Sequence, residues 1–461
     1  MQTQPGSREM IEKVRALTGG GKKFFLQTYG CQQNESDSEK LTGMLYLMGY
    51  TPCERMEDAD FVLYNTCAVR ENAELRVYGN VGALVHLKRR KPDMLIAVCG
   101  CMAQQAHVVT ALKEKYRHVD LIFGPHALAQ FPALVYQALL DRKVVINTDE
   151  SLDQGVFAEH LPITRSGKYK ALVTIMRGCD NFCSYCVVPY VRGRQVSRAP
   201  EQVLAEVRQL IDKGYKDITL LGQNVNSYGQ DLGLALDFAD LLEMICQIEG
   251  DFIVRFMTSH PKDASSKLID AMAKHPKIAK QLHLPFQAGN AQVLAVMNRR
   301  YTPEKYLSLI DYAREKMPDI VLTSDVIVGF PGESDEQFMD TIRLVERVRF
   351  DSLFTFLYSK REHTPASQMP DQVPEQEKKR RFNRLIETQN RISLEKNHQM
   401  LGKHYRILCE GASKNDPDTL SGRTEGGKIV NFKGDNRLIG QFVEVEITQA
   451  RTWSFIGKAL T

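Results

Sequence analysis

Three short apolar runs near the start of the chain each stop at a cysteine. FFLQTYG runs into Cys31, DFVLYNTC ends at Cys67, and MLIAVCG is followed by Cys101. Runs of this length, rich in Phe, Val, Ile, Leu and Tyr, predict buried strands. The amphipathic stretches between them, SDSEKLTGMLYLMGY and NAELRVYGNVGALVHLKRR, predict helices. Strand–helix alternation of this kind predicts an open α/β domain over residues 22–140 with a mostly parallel sheet. Ligands of such sheets gather outside the carboxyl ends of the strands, so the three cysteines could converge on one edge. Cys99 competes for the third place. Gly100 marks the end of its strand, which favours Cys101 in the loop and Cys99 packed beneath it.

A second constraint is RGCDNFCSYC, which sets Cys179, Cys183 and Cys186 in a C-x₃-C-x₂-C pattern. Structural zinc sites pair cysteines as C-x₂₋₄-C and close with four ligands. Here no fourth cysteine or histidine stands nearby, His160 being the nearest upstream histidine. A cubane iron–sulfur cluster usually takes four thiolates; with three, one iron stays open to bind a small molecule directly. The motif follows the strand-like ALVTIMRG. Further strand-like runs, DITLLGQN, DFIVRFM, KQLHLPF, DIVLTSDVIVGF and SLFTFLYS, alternate with helical segments. Residues 165–395 are therefore expected to form a full or partial β/α barrel with its chemistry at the carboxyl ends of the strands. The tail, 398–461, reads as a small all-β barrel of the oligonucleotide-binding type, with strands in HYRILCEG, GGKIVNFKG, QFVEVEITQ and WSFIGKAL. The first twenty residues read as a loose, helix-prone lead-in, and 147–168 as a connector.

The 461 residues predict about three domains, and the ten cysteines in a chain with no apolar leader read as metal ligands or catalytic thiols, not as a disulfide framework. Cys53, Cys246 and Cys409 are isolated and read as packed or incidental. With 43% hydrophobic and 25% charged residues, and no uncharged apolar run of about eighteen, a membrane span is not expected and the cytoplasm is. A net charge of +4 permits an anionic partner without requiring one, so local patches matter more. The basic stretch Lys378–Lys396 is either a solvated helix face or a phosphate-contacting one. Arg192, Arg194 and Arg198 either meet phosphates or pair with carboxylates on the barrel rim.

The C-x₃-C-x₂-C motif at the end of a first barrel strand, with the aromatic Tyr185 before its last cysteine, resembles the radical S-adenosylmethionine superfamily. TYGCQQNESDSE, YNTCAVRENAE and CGCMAQ resemble the amino-terminal domain of the methylthiotransferases within it. With the terminal β module, called TRAM in that family, the resemblance covers nearly all the chain after the lead-in. It implies an open [4Fe-4S] cluster on Cys179, Cys183 and Cys186 that binds S-adenosylmethionine and yields a hydrogen-abstracting radical. It also selects Cys101 with Cys31 and Cys67 as ligands of a second, auxiliary [4Fe-4S] cluster. There a cluster-bound sulfur takes a methyl group from a second S-adenosylmethionine before transfer. Tyr185, Gln223 and Gln287 are the residues expected to touch S-adenosylmethionine, the two glutamines as the ends of the second and fourth barrel strands. Asp325 and Glu333 are plausible but unassigned.

Among substrates of the family, CVVPYVRGRQVSR and LLGQNVNSYG look most like the bacterial enzymes acting on N6-isopentenyl-adenosine at position 37 of tRNA. LHLPFQAGNAQVLAVMNRRY and SDVIVGFPGES agree with them. The implied partners are the tRNA anticodon stem-loop and an electron donor such as flavodoxin or ferredoxin. An aspartate of a small-subunit ribosomal protein is the alternative substrate, and a non-catalytic RNA-binding iron–sulfur protein the alternative class. LYSKREHTPASQM departs from the resemblance by placing His363 where those enzymes usually have glycine.

Overall fold

The structure, a computed structural model, describes residues 5–68, 71–141, 143–149, 157, 160–414 and 416–460. Val69 and Arg70 of the second cysteine motif, and 150–156 and 158–159 of the expected connector, lie outside these. The chain forms two compact units. The first comprises residues up to 166 with 177–180 and 186–196; the second comprises 167–176, 181–185 and 197–461.

The first unit runs α1 (Pro5–Thr18), β1 (Lys23–Tyr29), α2 (Gln32–Leu47), β2 (Thr51–Pro52), β3 (Phe61–Thr66), α3 (Glu71–Arg90), β4 (Leu95–Gly100), α4 (Ala106–Lys115), β5 (Leu121–Phe123), α5 (Phe131–Asp141) and β6 (Val145–Asn147). Its sheet is parallel throughout, in the order β2-β1-β3-β4-β5-β6. The strands read as continuous apolar runs because both faces are covered. Phe61 and Leu63 pack with Leu41, Met44 and Val135 on one side, and Val62 and Tyr64 with Val77, Val81 and Leu112 on the other. The lead-in is not loose: Ile11 and Val14, three apart on α1, are buried in the first of these layers. The end of the connector is fixed as well, since Glu39 of α2 accepts from the Arg165 guanidinium at 3.0 Å and from Ser166 N at 2.9 Å.

The chain continues through β7 (Lys170–Thr174), β8 (Met176–Arg177), α6 (Val188–Arg192), β9 (Val196–Ser197), α7 (Pro200–Asp212), β10 (Asp217–Leu221), α8 (Phe238–Cys246), β11 (Ile253–Phe256), α9 (Ser266–Lys274), β12 (Gln281–His283), α10 (Ala291–Val296), α11 (Pro303–Lys316), β13 (Val321–Val328), α12 (Asp335–Val348), β14 (Ser352–Leu357) and α13 (Glu375–His398). In the second unit, six parallel strands form two three-stranded sheets, β7-β10-β11 and β12-β13-β14. Val254 bridges them, its N donating to Lys277 O at 2.8 Å and its O accepting from Ala279 N at 3.0 Å. The result is a partial β/α barrel. Its helices cover one face through stripes such as Val203, Leu204, Val207 and Leu210 of α7.

The tail is a closed five-stranded barrel, β15-β16-β17-β19-β18, built from β15 (His404–Ser413), β16 (Asp416–Thr424), β17 (Ile429–Lys433), β18 (Phe442–Ala450) and β19 (Phe455–Ala459). Strand β16 was not among the expected four. Its inward positions are Leu420, Gly422 and Thr424, so only one large apolar side chain marks its alternation, and pairing with β15 and β17 supplies the rest.

The basic stretch of α13 is divided: Lys379, Arg380, Arg384 and Arg391 are exposed, and other members turn to the barrel. Lys378 and Arg381 are buried, and Arg381 donates to Glu333 and Glu377. Arg380 pairs with Asp335 and Glu377, and Arg391 with Glu395. Lys396 reaches Asp351 at 2.6 Å, and Lys428 of the terminal barrel reaches the same carboxylate at 2.8 Å. Lys428 also donates to Asn397, whose amide donates to Arg451 O at 2.8 Å. Asp351, itself buried, thus ties α13 and the terminal barrel to the β/α barrel.

Burial alone would raise the Asp351 carboxyl, but Lys428 and Lys396 hold it below the usual carboxylate value. Its contribution is therefore present above the unfolded pKa of about 3.9 and is lost as pH falls through the lower folded value. Asp351→Asn should cost about 3 kcal/mol, since it leaves two part-buried ammonium groups short of the buried carboxylate they share. Urea melts at pH 7 should show this loss, and a melt unchanged from wild type would contradict the anchor. His363 has φ +66°, in the left-handed region that favours glycine. His363→Gly relieves about 1–2 kcal/mol of backbone strain against about 0.5–1 kcal/mol of added unfolded-state freedom. The melting temperature should hold or rise slightly; a clear fall would show that the imidazole itself is needed.

Candidate functional site

The order of the first sheet reverses between β1 and β3, because β2 lies on the far side of β1. At such a switch point the outgoing connections diverge and leave a crevice at the carboxyl edge. The register there is flush: Tyr29 pairs with Thr66, and Thr66 with Gly100. Cys31 follows this row by two residues, and Cys67 and Cys101 by one each. The three side chains converge. Hydrogen bonding with Cys67 holds the Cys31 thiol well below the usual thiol range, with the Arg192 charge adding to it. Cys101, 4% exposed, accepts from Arg192 Nε at 3.0 Å; burial raises its pKa against that arginine. Cys99 sits in the apolar layer with Phe61 and Phe123, where burial pushes its thiol well up.

The floor of this crevice is a closed polar network. Asn34 donates to Asn65 Oδ1 at 3.0 Å, and Asn65 donates to Asn34 O at 2.8 Å and to Ser38 Oγ at 2.9 Å. Thr66 Oγ1 donates to Cys99 O at 3.0 Å. Such a network fixes the strand ends that carry the cysteines. Gln104, just after Cys101, turns the other way, toward Gly124 and Thr148 at the ends of β5 and β6. Among the described residues, no three His, Cys, Asp or Glu side chains stand close enough to share one metal ion. Three thiolates on a cubane bind three different irons, so that donor set fits a cluster better than an ion.

Within RGCDNFCSYC the chain passes between the units: Cys179 and Cys186 belong to the first and Cys183 to the second. Gly178 has φ +71°, and a Cβ there would run into the carbonyls of Gly193 and Arg194, so the loop requires glycine. Cys179 N donates to Gly193 O at 3.2 Å. Phe182 is also left-handed, at φ +47°, and Asn298 Nδ2 holds its carbonyl at 2.9 Å. Arg299, 4% exposed, donates from Nη1 to Cys183 Sγ and to Tyr185 Oη, each at 3.5 Å.

The carboxyl ends of the barrel strands carry a concentration of buried polar atoms without partners: Gln223 Oε1, both side-chain atoms of Asn226, Ser259 Oγ, His260 Nε2, Gln287 Oε1 and Arg299 Nε. Native interiors tolerate few such atoms, so a set at one barrel mouth points to a polar ligand. Gln223 and Gln287 do not end strands as expected. Strands β10 and β12 stop at Leu221 and His283, and both glutamines lie in the loops beyond. Gln287 is held at φ +66° by Asp325 O and Ile327 N, and Thr258, ahead of Ser259, is at φ +62°. Left-handed non-glycine residues held this way are characteristic of ligand sites. His260 accepts from Lys262 N at its Nδ1, so the neutral ring carries its proton on Nε2 and presents a donor. Burial first, then the charge of Arg299, pushes its pKa down to about 2, so the ring stays neutral. Sequence reasoning missed Asn226, Ser259, His260 and Arg299, because nothing in their local pattern separates a strand cap from a ligand.

The inner face of β12-β13-β14 is the other open surface. Leu282, Leu322, Val326 and Leu353 point to the helices and are buried, while the alternate positions Asp325, Ile327, Phe354 and Phe356 remain partly or well exposed. The buried His283 ring meets Phe354 edge-on at 5.8 Å, bonds Thr323 at 3.0 Å and faces Asp325 at 3.5 Å. Asp325 thus lies on this open face. Glu333 instead accepts from Gly329 N and Arg381, and burial pushes its carboxyl up to about 7. Of the arginines after the motif, Arg192 pairs with Asp37 and Cys101, and Arg198 pairs with Glu206. Both are carboxylate-paired, not open to phosphate. Arg194 is exposed, with Asp180 at 3.4 Å.

Residues 173–345 match the radical SAM superfamily, 23–124 the uncharacterized protein family UPF0004, and 398–460 the TRAM domain. The chain is 53% identical over 450 residues to a tRNA-2-methylthio-N(6)-dimethylallyladenosine synthase of Acetivibrio thermocellus, covering 98% of this chain and 93% of that one. It is 51% identical to the protein of the same name in Thermoanaerobacter sp., covering 98% and 96%. Among solved structures, it resembles the radical S-adenosylmethionine methyltransferase TsrM of Kitasatospora setae, solved with cobalamin and a [4Fe-4S] cluster, at TM-score 0.55 and 15% identity over 75% of this chain and 77% of that one. At that identity the likeness speaks for the fold alone. No helix among the described residues is long and apolar enough to cross a membrane. With half its residues shared along almost its whole length, the chain belongs to the radical S-adenosylmethionine methylthiotransferase family that includes these synthases.

Proposed function

We propose that this chain transfers a methylthio group to carbon 2 of N6-isopentenyl-adenosine at position 37 of tRNA. The observation that carries the proposal is the convergence of Cys31, Cys67 and Cys101 at the sheet's switch point, separate in sequence from the three cysteines of RGCDNFCSYC. In this reading each set holds a [4Fe-4S] cluster with one open iron. Bound at Cys179, Cys183 and Cys186, a cluster with S-adenosylmethionine supplies a hydrogen-abstracting radical, while the other cluster holds the sulfur to be transferred.

The chain's own residues orient and shield these groups. Gln223, Asn226, Ser259, Gln287 and the His260 Nε2 proton offer unmet donors and acceptors at the barrel mouth, suited to S-adenosylmethionine's polar groups. Tyr185 stands beside Cys183 through Arg299. Phe354 and Phe356, two apart on one face, give a stacking surface for an unpaired purine and an apolar bed for its isopentenyl tail. The terminal barrel is read as the grip on the anticodon stem-loop, and the reducing electrons as coming from a donor such as flavodoxin or ferredoxin.

After anaerobic reconstitution, Cys31→Ala should still cleave S-adenosylmethionine and release no methylthiolated nucleoside from isopentenylated RNA. Methylthiolated product at the wild-type rate would sink the proposal, as would wild-type enzyme that modifies ribosomal protein in place of RNA. Cys101→Ser should cost one cluster's iron while Cys99→Ser keeps it; the reverse pattern would move the ligand to Cys99. Phe354→Ala should raise KM for the RNA about tenfold, from loss of roughly 1–3 kcal/mol of stacking, with iron content unchanged. An unaltered KM would remove Phe354 from the substrate surface.

A further inference from the structure

Arg192 stands six residues after Cys186 and closes α6. It is 5% exposed, an expensive place for a guanidinium unless every face of it is answered. Its Nη2 donates to Asp37 Oδ2 at 2.8 Å, and its Nε donates to Cys101 Sγ at 3.0 Å. Cys31 feels the same charge. Asp37 is itself braced by Gln33 Nε2, which donates to its Oδ1 at 3.2 Å. Val187, just before the helix, and Val191 within it pack with Ala68 and Cys101, keeping water from the contact, where a charge-assisted bond to sulfur is strengthened.

A buried cation flanked by one carboxylate and two thiols, Cys101 and Cys31, is placed to meet anionic charge. A cubane held by three thiolates is anionic, and reduction adds a further negative charge. A donor on a ligand sulfur stabilises the reduced form more than the oxidised one and so raises the reduction potential. Lysine could not replace this geometry, because one ammonium lacks the rigid fork that spans Asp37 and the sulfur together.

We propose that Arg192 is a positioning residue of the Cys31–Cys67–Cys101 site: it fixes the Cys101 sulfur and raises the reduction potential of the cluster held there. The inference rests on assigning a cluster to those three cysteines. The segment that supplies Cys179 and Cys186 therefore also completes the other cysteine site, within the same unit.

The test uses the full chain with Cys179, Cys183 and Cys186 changed to alanine, so that only the other site can load. Anaerobic reconstitution is followed by iron and sulfide counts and by a potentiometric titration read by electron paramagnetic resonance. The parent should hold about four irons. Arg192→Gln should shift the midpoint potential to more negative values, and Arg192→Lys should fall between Gln and parent. Iron lost in Arg192→Gln but kept in Arg192→Lys at a potential below the parent's also supports the proposal, since lysine keeps the charge without the fork. A parent without iron overturns the cluster assignment and this proposal together. About four irons in all three proteins at one common potential overturns this proposal alone. Loss of iron in both variants reduces Arg192 to a structural residue and overturns it too.

Discussion

The carboxyl ends of β1, β3 and β4 are level with one another, and the first unit's site depends on that. Tyr29, Thr66 and Gly100 share one row of the sheet, so three cysteines distant in sequence emerge side by side. A one-residue slip in β3 would turn Cys67 to the other face and set Asn65 against the wrong neighbours. The Asn34–Asn65–Ser38 network and the Thr66 bond to Cys99 O make that slip costly, because each would leave a buried polar group unmet. Apolar layers on both faces set the strands, and polar bonds at their ends set the register.

The second unit builds its site differently. Its strands are fixed by helix packing, but the loops beyond them hold residues in the left-handed region and leave polar atoms without protein partners. Thr258, Gln287, Asn298 and Arg300 each give up backbone comfort near this mouth. Such strain persists where the surroundings over-determine it, as the hydrogen bonds from Asp325 O and Ile327 N do for Gln287. The open inner face of β12-β13-β14 adds aromatic surface beside these polar groups, the mix common to small-molecule sites.

Much of this could be read from the sequence because periodicity and punctuation reflect local physics. The strands ending at Cys31, Cys67 and Cys101 were apparent from apolar runs, and the preference for Cys101 over Cys99 from Gly100. Strand β16 was not, since pairing on both sides, not its own side chains, makes it a strand. The lead-in helix reads as loose in sequence because only two buried residues, Ile11 and Val14, mark its docking. Arg192 and the cationic side of α13 show the same limit for charge. Sequence spacing displays a basic residue but not the carboxylate that tertiary folding brings to it, as Asp37 and Asp335 show.

The proposed function turns on two three-thiol sites, each holding a cluster with one iron left open. The most direct measurement is the iron and sulfide content of the anaerobically reconstituted full-length chain, with Mössbauer spectra before and after S-adenosylmethionine is added. The account predicts about eight irons and eight sulfides per chain as two cubanes, with one iron of one cluster changing coordination when S-adenosylmethionine binds. About four irons per chain, all lost when Cys179, Cys183 and Cys186 are replaced, would contradict it.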